Sequence, residues 1–330
     1  MKIAVIGAGS FGTAISNIVA ENCEEVFLFE RNALVINSIN NSSINSLFFP
    51  DIKLNSRIHA YAFKEKEVLK QADIAIFAVP SRVMKEVAEK VRPQLKDKII
   101  LSGAKGIAFP SLHTMSTILR QTIGTHSVYS LSGPTFADEL VKKHISGITL
   151  GINNNAHRKV LSSLFHGTTV VPDFSQDVVG VELCGVLKNI YAIAMGIFDT
   201  YFSSFNEHYT FLNLCYKEME IILKHFSRDG ELLSKFCAFG DFNLTANVDK
   251  SRNRTLGLVI GKRIISLEGT NSSIVFEGIK AAKALEMKCN EAELNIPIIS
   301  FVNSALTYKT NLKSMIYETI IKPRNGGMTF

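Results

Sequence analysis

Lys188 sits near the middle of Val178–Phe198, VVGVELCGVLKNIYAIAMGIF, a run that is apolar almost all the way round. Such a run predicts a helix buried on every side rather than a surface helix. An ammonium in that setting is costly unless it is paired, reaches water, or is kept to exchange a proton. Glu182 and Asn189 share one face of the helix, and Lys188 lies roughly 100° round from Asn189. Gly185 and Gly196 leave room for another backbone, or a ligand, to come close.

Three further groupings carry polar chemistry. Gly240-Asp241-Phe242-Asn243-Leu244-Thr245 sets a carboxylate after a glycine and a hydroxyl one helical turn on. Lys250-Ser251-Arg252-Asn253-Arg254 sets an arginine fork beside hydroxyl and amide donors, which is phosphate-binding chemistry; standing alone it would read as a charged loop in water. Lys105, in Ser102-Gly103-Ala104-Lys105-Gly106, is placed to reach a phosphate or a carboxylate.

At the start of the chain, Gly7-Ala8-Gly9-Ser10-Phe11-Gly12 follows an apolar strand at Lys2–Ile6 and precedes a helix at Thr13–Ala20. In that context Gly7 makes the tight turn, Gly9 lets a pyrophosphate approach the backbone, and Gly12 allows helix and strand to touch. The helix N-terminus supplies the amides for the anion, so the ligand expected is a dinucleotide. The second strand, Glu25–Phe29, ends in Glu30-Arg31-Asn32. An acid there accepts from both ribose hydroxyls and an arginine welcomes a 2′-phosphate, so NAD and NADP both stay open.

These residues need a frame to hold them. Strands at Ile58–Ala62, Asp73–Val79 and Lys98–Leu101 alternate with helices at Lys64–Gln71 and Arg82–Val91, and Ser146–Ile152 and Thr168–Pro172 read as closing strands. The alternation predicts an α/β, doubly wound, mostly parallel sheet with ligands at the C-terminal strand ends. Three loops fall there: Val79-Pro80-Ser81, Ser102 to Gly106, and Ser132-Gly133-Pro134-Thr135-Phe136-Ala137. Beyond the apolar run the pattern is helical, at Glu207–Phe226, Thr255–Ile264, Ser273–Leu285, Ile298–Leu306 and from Leu312 onward. The expected division is a dinucleotide-binding domain over 1–177 and an all-α domain over 178–330.

Bulk properties narrow the class. The chain has 330 residues, 46% apolar and 20% charged, which fits a globular two-domain enzyme. The net charge of +6 suits a small anionic substrate, and the scattered basic residues argue against nucleic acid. Five widely spaced cysteines point to free thiols in a reducing cytoplasm, and the eight histidines lack metal-ligand spacing. Glu182 and Lys188 are expected to stop the best apolar run from spanning a membrane, and the N-terminus does not read as a signal peptide.

Taken in order, GAGSFGTA from Gly7, Ala104-Lys105-Gly106, SGPTFA from Ser132, Gly185-Val186-Leu187-Lys188-Asn189, Gly240-Asp241 with Thr245, Ser251-Arg252-Asn253-Arg254 and Phe276-Glu277-Gly278 resemble NAD(P)-dependent glycerol-3-phosphate dehydrogenases of the bacterial type. The resemblance covers nearly the whole chain. It implies a Rossmann domain, a helical domain and an active site in the cleft between them. The implied reaction is reversible hydride transfer between NAD(P)H and dihydroxyacetone phosphate, giving sn-glycerol 3-phosphate for phospholipid synthesis. By the same resemblance Lys188 is the catalytic acid–base, and Lys105, Asn189, Asp241 and Thr245 hold the substrate and the lysine. Gly133 and Thr135 also match substrate contacts. Ser251, Arg252 and Asn253 match the substrate phosphate site. Ser10, Phe11, Arg31, Lys105, Ala137, Arg252 and Glu277 match cofactor contacts, beside the glycines and Glu30. Lowering of the Lys188 pKa by burial and a nearby cation would suit a general base, with Asp241 acting in the opposite direction. No metal is implied, and a homodimer is left open.

The chain departs from that pattern in places. Phe11 stands for a tryptophan and Thr135 for a serine. Asn206-Glu207-His208 stands where the pattern reads asparagine–alanine–arginine, and Phe236-Cys237-Ala238-Phe239 replaces a glycine-rich approach to Gly240. Two other readings stay beside the dehydrogenase: a related dehydrogenase of another small hydroxy acid, and a nucleotide-binding sensor that has lost turnover.

Overall fold

A computed structural model describes residues 1–108, 111–264, 277–307 and 311–318. The chain forms two compact units, Met1–Lys105 with Thr114–Glu182, and Gly106–His113 with Leu183–Phe330. The division falls inside the apolar helix.

The first unit is built on one eight-stranded sheet. Its strands are β1 (Lys2–Ile6), β2 (Glu25–Glu30), β3 (Ile58–Ala62), β4 (Ile74–Phe77), β5 (Ile99–Ser102), β6 (Val128–Ser132), β7 (Ser146–Gly151) and β8 (Val170–Ser175). Their order is β3-β2-β1-β4-β5-β6-β7-β8, and every pairing is parallel except β6 with β7. The register sets Val5 beside Leu28 and Ile76, and Leu131 opposite Leu150. β1 and β4 are almost wholly buried, as a parallel sheet covered on both faces requires.

The helices of this unit are α1 (Ser10–Val19), α2 (Ala33–Ser42), α3 (Met84–Leu95), α4 (Met115–Leu119), α5 (Ala137–Leu140) and α6 (Asn155–Ser163). Ala14, Ile15, Ile18 and Val19 of α1 share one core with Ile3, Val5, Val26 and Leu28 of the sheet. The segment read as a helix at Lys64–Gln71 is instead a 3₁₀ helix over Phe63–Gln71, interrupted by non-helical backbone at Glu65. The last strand runs later than expected, and Pro172 is tolerated because β8 is an edge strand. α2 goes unread in the sequence because its asparagines and serines are weak helix formers. Its start is secured by the Asn32 side chain, which accepts from Leu34 N at 3.0 Å.

The α-helices of the second unit are, among its described residues, α7 (Val178–Phe198, which begins in the first unit), α8 (Phe205–Phe226), α9 (Asp241–Asn247), α10 (Arg252–Gly261), α11 (Glu277–Glu291), α12 (Pro297–Thr307) and α13 (Leu312–Ile316). The helix expected from Ser273 begins at Glu277 in the described residues, and 273–276 lie outside them. α7 is, by length and composition, apolar enough to cross a membrane despite Glu182 and Lys188, contrary to the sequence expectation. Its burial within the protein accounts for that composition, since Ile190 through Ile197 lack solvent contact. Stacked rings of Phe198, Phe202 and Phe211 close its C-terminal end, and Ser204 with Glu207 forms a capping box that starts α8. Glu218 of α8, fully buried, accepts from Ile298 N at 2.7 Å and Ile299 N at 3.0 Å and so caps α12. All five cysteines are buried, and none forms a disulfide.

Candidate active site

In the second unit Lys188 does not escape to water. Its side chain projects from α7 onto α9, where Nζ donates to Asp241 Oδ1 in an ion pair and to Thr245 Oγ1 at 3.0 Å. Lys188 is 7% exposed and Asp241 1%. Thr245 Oγ in turn donates to the Asp241 carbonyl at 2.6 Å, one helical turn back. The spacing of Asp241 and Thr245 on one face of a short helix is what lets both meet a single ammonium. Two buried charges of opposite sign, with a hydroxyl between them, satisfy one another where neither alone would be tolerated.

Asn189, the next residue on α7, is buried as well. Its main-chain oxygen and the Asn253 side-chain oxygen both border Gly278, at 3.2 and 2.8 Å from where a Cβ there would lie. Asn253 Oδ1 is buried with no hydrogen-bond partner, an orphaned acceptor at the start of α10. Ser251 is the N-cap of α10, accepting from Arg254 N at 3.4 Å, and Arg252 beside it is exposed. The first turn of a ten-residue helix thus presents Ser251, Arg252 and Asn253 together, suited to an anion. Glu277 opens α11.

The first unit carries the glycine loop. Gly7 has φ +111°, a conformation that a side chain resists, and its amide donates to Phe29 O at 3.0 Å. A Cβ on Gly12 would overlap the Gly7 carbonyl oxygen, so α1 can approach β1 only with glycine there. α1 has no side-chain cap, and a Cβ on Gly9 would meet nothing within 4 Å. Uncapped amides under open space are the cradle a dinucleotide pyrophosphate needs, so these residues fit NAD or NADP. Thr13 and Asn45 hold the loop from behind, both bonded to Ala8 O, at 3.1 and 3.0 Å. No sequence signal singled out Asn45.

The other expected residues of this unit lie along the same sheet edge, since β1, β4, β5 and β6 run parallel. Lys105 follows β5, half-buried; Gly133 and Thr135 follow β6, with Thr135 Oγ donating to Gly133 O at 3.1 Å; Ala137 begins α5. Ser10 opens α1, and the Phe11 ring lies against Gly103 after β5. Glu30, at the end of β2, accepts from Arg31 N at 2.8 Å and Asn32 N at 3.0 Å, both on Oε1. Arg31 is exposed. Among the described residues no group of three or more His, Cys, Asp and Glu side chains is arranged to hold a metal.

Glu182 takes a different course from Lys188. It accepts from Ser116 N at 2.8 Å and from the Ser116 hydroxyl, at the start of α4. Burial pushes its carboxyl up to about 7, against those hydrogen bonds. Burial likewise lifts Glu218 to about 7. Sequence reasoning also missed Asp199, just past α7, which faces both His208 and Arg254; an acid closing an apolar helix is the signal that marks it.

Residues 2–158 match the family model described as NAD-dependent glycerol-3-phosphate dehydrogenase N-terminus, and residues 177–317 match the corresponding C-terminus model. A glycerol-3-phosphate dehydrogenase [NAD(P)+] of Methanothermobacter thermautotrophicus is 40% identical over 318 residues, 96% of this chain and 97% of that protein. The crystal structure of glycerol-3-phosphate dehydrogenase from Coxiella burnetii superposes with a TM-score of 0.85 at 26% identity, covering 96% of this chain and 97% of that one. A Plasmodium falciparum glycerol-3-phosphate dehydrogenase structure shares the fold, with a TM-score of 0.88 at 20% identity over 98% and 96% of the two chains.

Proposed function

Since this chain belongs to the NAD-dependent glycerol-3-phosphate dehydrogenase family, its activity is NAD(P)-dependent interconversion of dihydroxyacetone phosphate and sn-glycerol 3-phosphate, and we propose that Lys188 is its acid–base. The observation that supports this role is the buried Lys188 ammonium held by Asp241 and Thr245. A bound nicotinamide supplies or accepts the hydride at C2 of the substrate. In reduction Lys188 gives its proton to the C2 oxygen, and in oxidation it takes the proton from the C2 hydroxyl. Asp241 balances the ammonium and aims it, and Thr245 fixes the second of its three N–H directions. The paired, charged lysine is the acid form, ready for the ketone.

Asn189 and Lys105 complete the reading as substrate-holding groups, together with Gly133 and Thr135. Ser251, Arg252 and Asn253 at the start of α10 receive the phosphate, where the orphaned Asn253 acceptor gains a partner in a protonated phosphate oxygen or a bound water. Gly7, Gly9, Ser10, Phe11 and Gly12 cradle the dinucleotide, with Glu30 or Arg31 at its ribose and Ala137, Arg252 and Glu277 as further contacts. The product supplies phospholipid synthesis. A cytoplasmic location agrees with five cysteines that form no disulfide. A homodimer remains part of the reading and is checked by light scattering.

The test is oxidation of NADH and of NADPH with dihydroxyacetone phosphate, followed by absorbance of the reduced nicotinamide. Lys188→Ala is expected to lower kcat by roughly 10²–10⁴ while cofactor affinity holds. Near-normal turnover in that variant would remove Lys188 from the chemistry.

A further inference from the structure

Several polar side chains that this chemistry leaves unused meet in the second unit. Asp199 Oδ2 accepts from Arg254 Nη1 at 2.6 Å, and Oδ1 faces His208 Nδ1 at 2.8 Å. Arg254 also donates to Asp249 Oδ1 at 2.9 Å and to the Ala246 carbonyl at 3.0 Å. On its far side His208 places Nε2 2.6 Å from Asn247 Oδ1. Asn247 Nδ2 donates to Asn243 O at 2.8 Å; a carbonyl only accepts, so the amide is oriented with its oxygen toward the histidine. A carboxylate paired with an arginine also only accepts. Both ring nitrogens of His208 therefore meet acceptors, and both bonds form only when each nitrogen carries a proton.

We propose that Asp199, Arg254 and His208 are positioning residues that set the start of α10 against α7 and α9. Arg254 is the third residue of α10, directly after Arg252 and Asn253. Its guanidinium reaches the end of α7 through Asp199 and the end of α9 through Ala246. Lys188 with Asp241 and Thr245 joins α7 to α9 separately. The hub closes the triangle, so the phosphate end and the proton-transfer end hold one spacing. The Asp199 and Arg254 side chains are only 13% and 12% exposed, which shields the pair from the screening that weakens surface ion pairs. Misplacing a substrate by about 1 Å costs up to about 10²-fold in rate, so the spacing is worth fixing.

This inference rests on Ser251–Asn253 being the phosphate site, and the experiment separates the two. Steady-state kinetics are measured for Asp199→Asn, His208→Phe, His208→Arg and Arg252→Ala, each well below its own melting temperature, with NADH affinity followed by cofactor fluorescence. Asp199→Asn and His208→Phe are expected to raise KM for dihydroxyacetone phosphate by about tenfold or more, with NADH affinity unchanged, and His208→Arg to restore it. A raised KM in Arg252→Ala with a normal KM in Asp199→Asn and His208→Phe overturns the hub and leaves the phosphate site standing. The reverse pattern keeps the hub and removes the phosphate assignment. Normal KM in all of them removes both. If Asp199→Asn fails to fold, the two His208 variants decide alone, and failure of His208→Arg to rescue His208→Phe overturns the proposal.

Discussion

Gly196 of α7 and Gly257 of α10 face each other so closely that neither has room for a side chain. A Cβ on Gly196 would overlap the Arg254 carbonyl and lie 2.9 Å from Gly257 Cα; one on Gly257 would overlap the Ile193 carbonyl. The neighbours are backbone atoms, which cannot swing aside, so an added methyl must part the helices. Gly257→Ala is expected to lose about 1–3 kcal/mol of stability by denaturant titration. Adding Gly196→Ala is expected to cost less than the sum, because the helices have already parted.

The Lys188–Asp241 pair makes removal of one partner worse than removal of both. Asp241→Ala strands a buried ammonium and is expected to destabilise by about 3–5 kcal/mol. The double variant Lys188→Met with Asp241→Leu, equally inactive, is expected to recover most of that loss. Denaturation midpoints of the three proteins check the order.

Glu182 gives stability a pH dependence of definite sign. Its carboxyl titrates near 7 when folded and near 4.5 in the reference state, so between those values the folded protein holds a proton that the unfolded chain has released. The stability it contributes is full below the lower value and lost as pH rises through about 7. Glu182→Gln keeps an acceptor for Ser116 N and cannot ionise. Its stability is expected to fall less than the parent's between about pH 5 and pH 8, a difference of a few kcal/mol at most.

Cofactor choice is expected to favour NADH. The backbone amides of Arg31 and Asn32, which could otherwise receive a 2′-phosphate, are already bonded to the Glu30 carboxylate, leaving a negative charge at that place. Glu30→Ser is expected to raise kcat/KM for NADPH relative to NADH by about tenfold or more, as removal of a like-charge contact should. An unchanged ratio would assign the choice elsewhere.

Much of this architecture is legible in the chain itself. The parallel strands announce themselves as short apolar runs, and the glycine loop is defined by its neighbours as much as by its own residues. Lys188 is conspicuous because its helix is otherwise apolar apart from Glu182 and Asn189. What escapes the sequence is pairing across distance. Asp241 lies 53 positions from Lys188, and only the packing of α9 on α7 brings them together. The Glu30–Arg31 ambiguity likewise turns on two backbone amides, which every sequence has and none displays. α2 escapes for the opposite reason, since its local preference is weak and its cap and packing decide it.

The burial of every cysteine gives this protein a built-in record of its own opening. The chain has no tryptophan, so the usual fluorescence signal of unfolding is missing. Its thiols are expected to stay silent toward an alkylating reagent while folded, because burial both shields them and, at Cys23 and Cys289, pushes the thiol up to about 11 and about 12. Cys23 lies in the first unit and Cys184, Cys215, Cys237 and Cys289 in the second. Which cysteine is tagged first under rising denaturant therefore tells which half of the molecule lets go first.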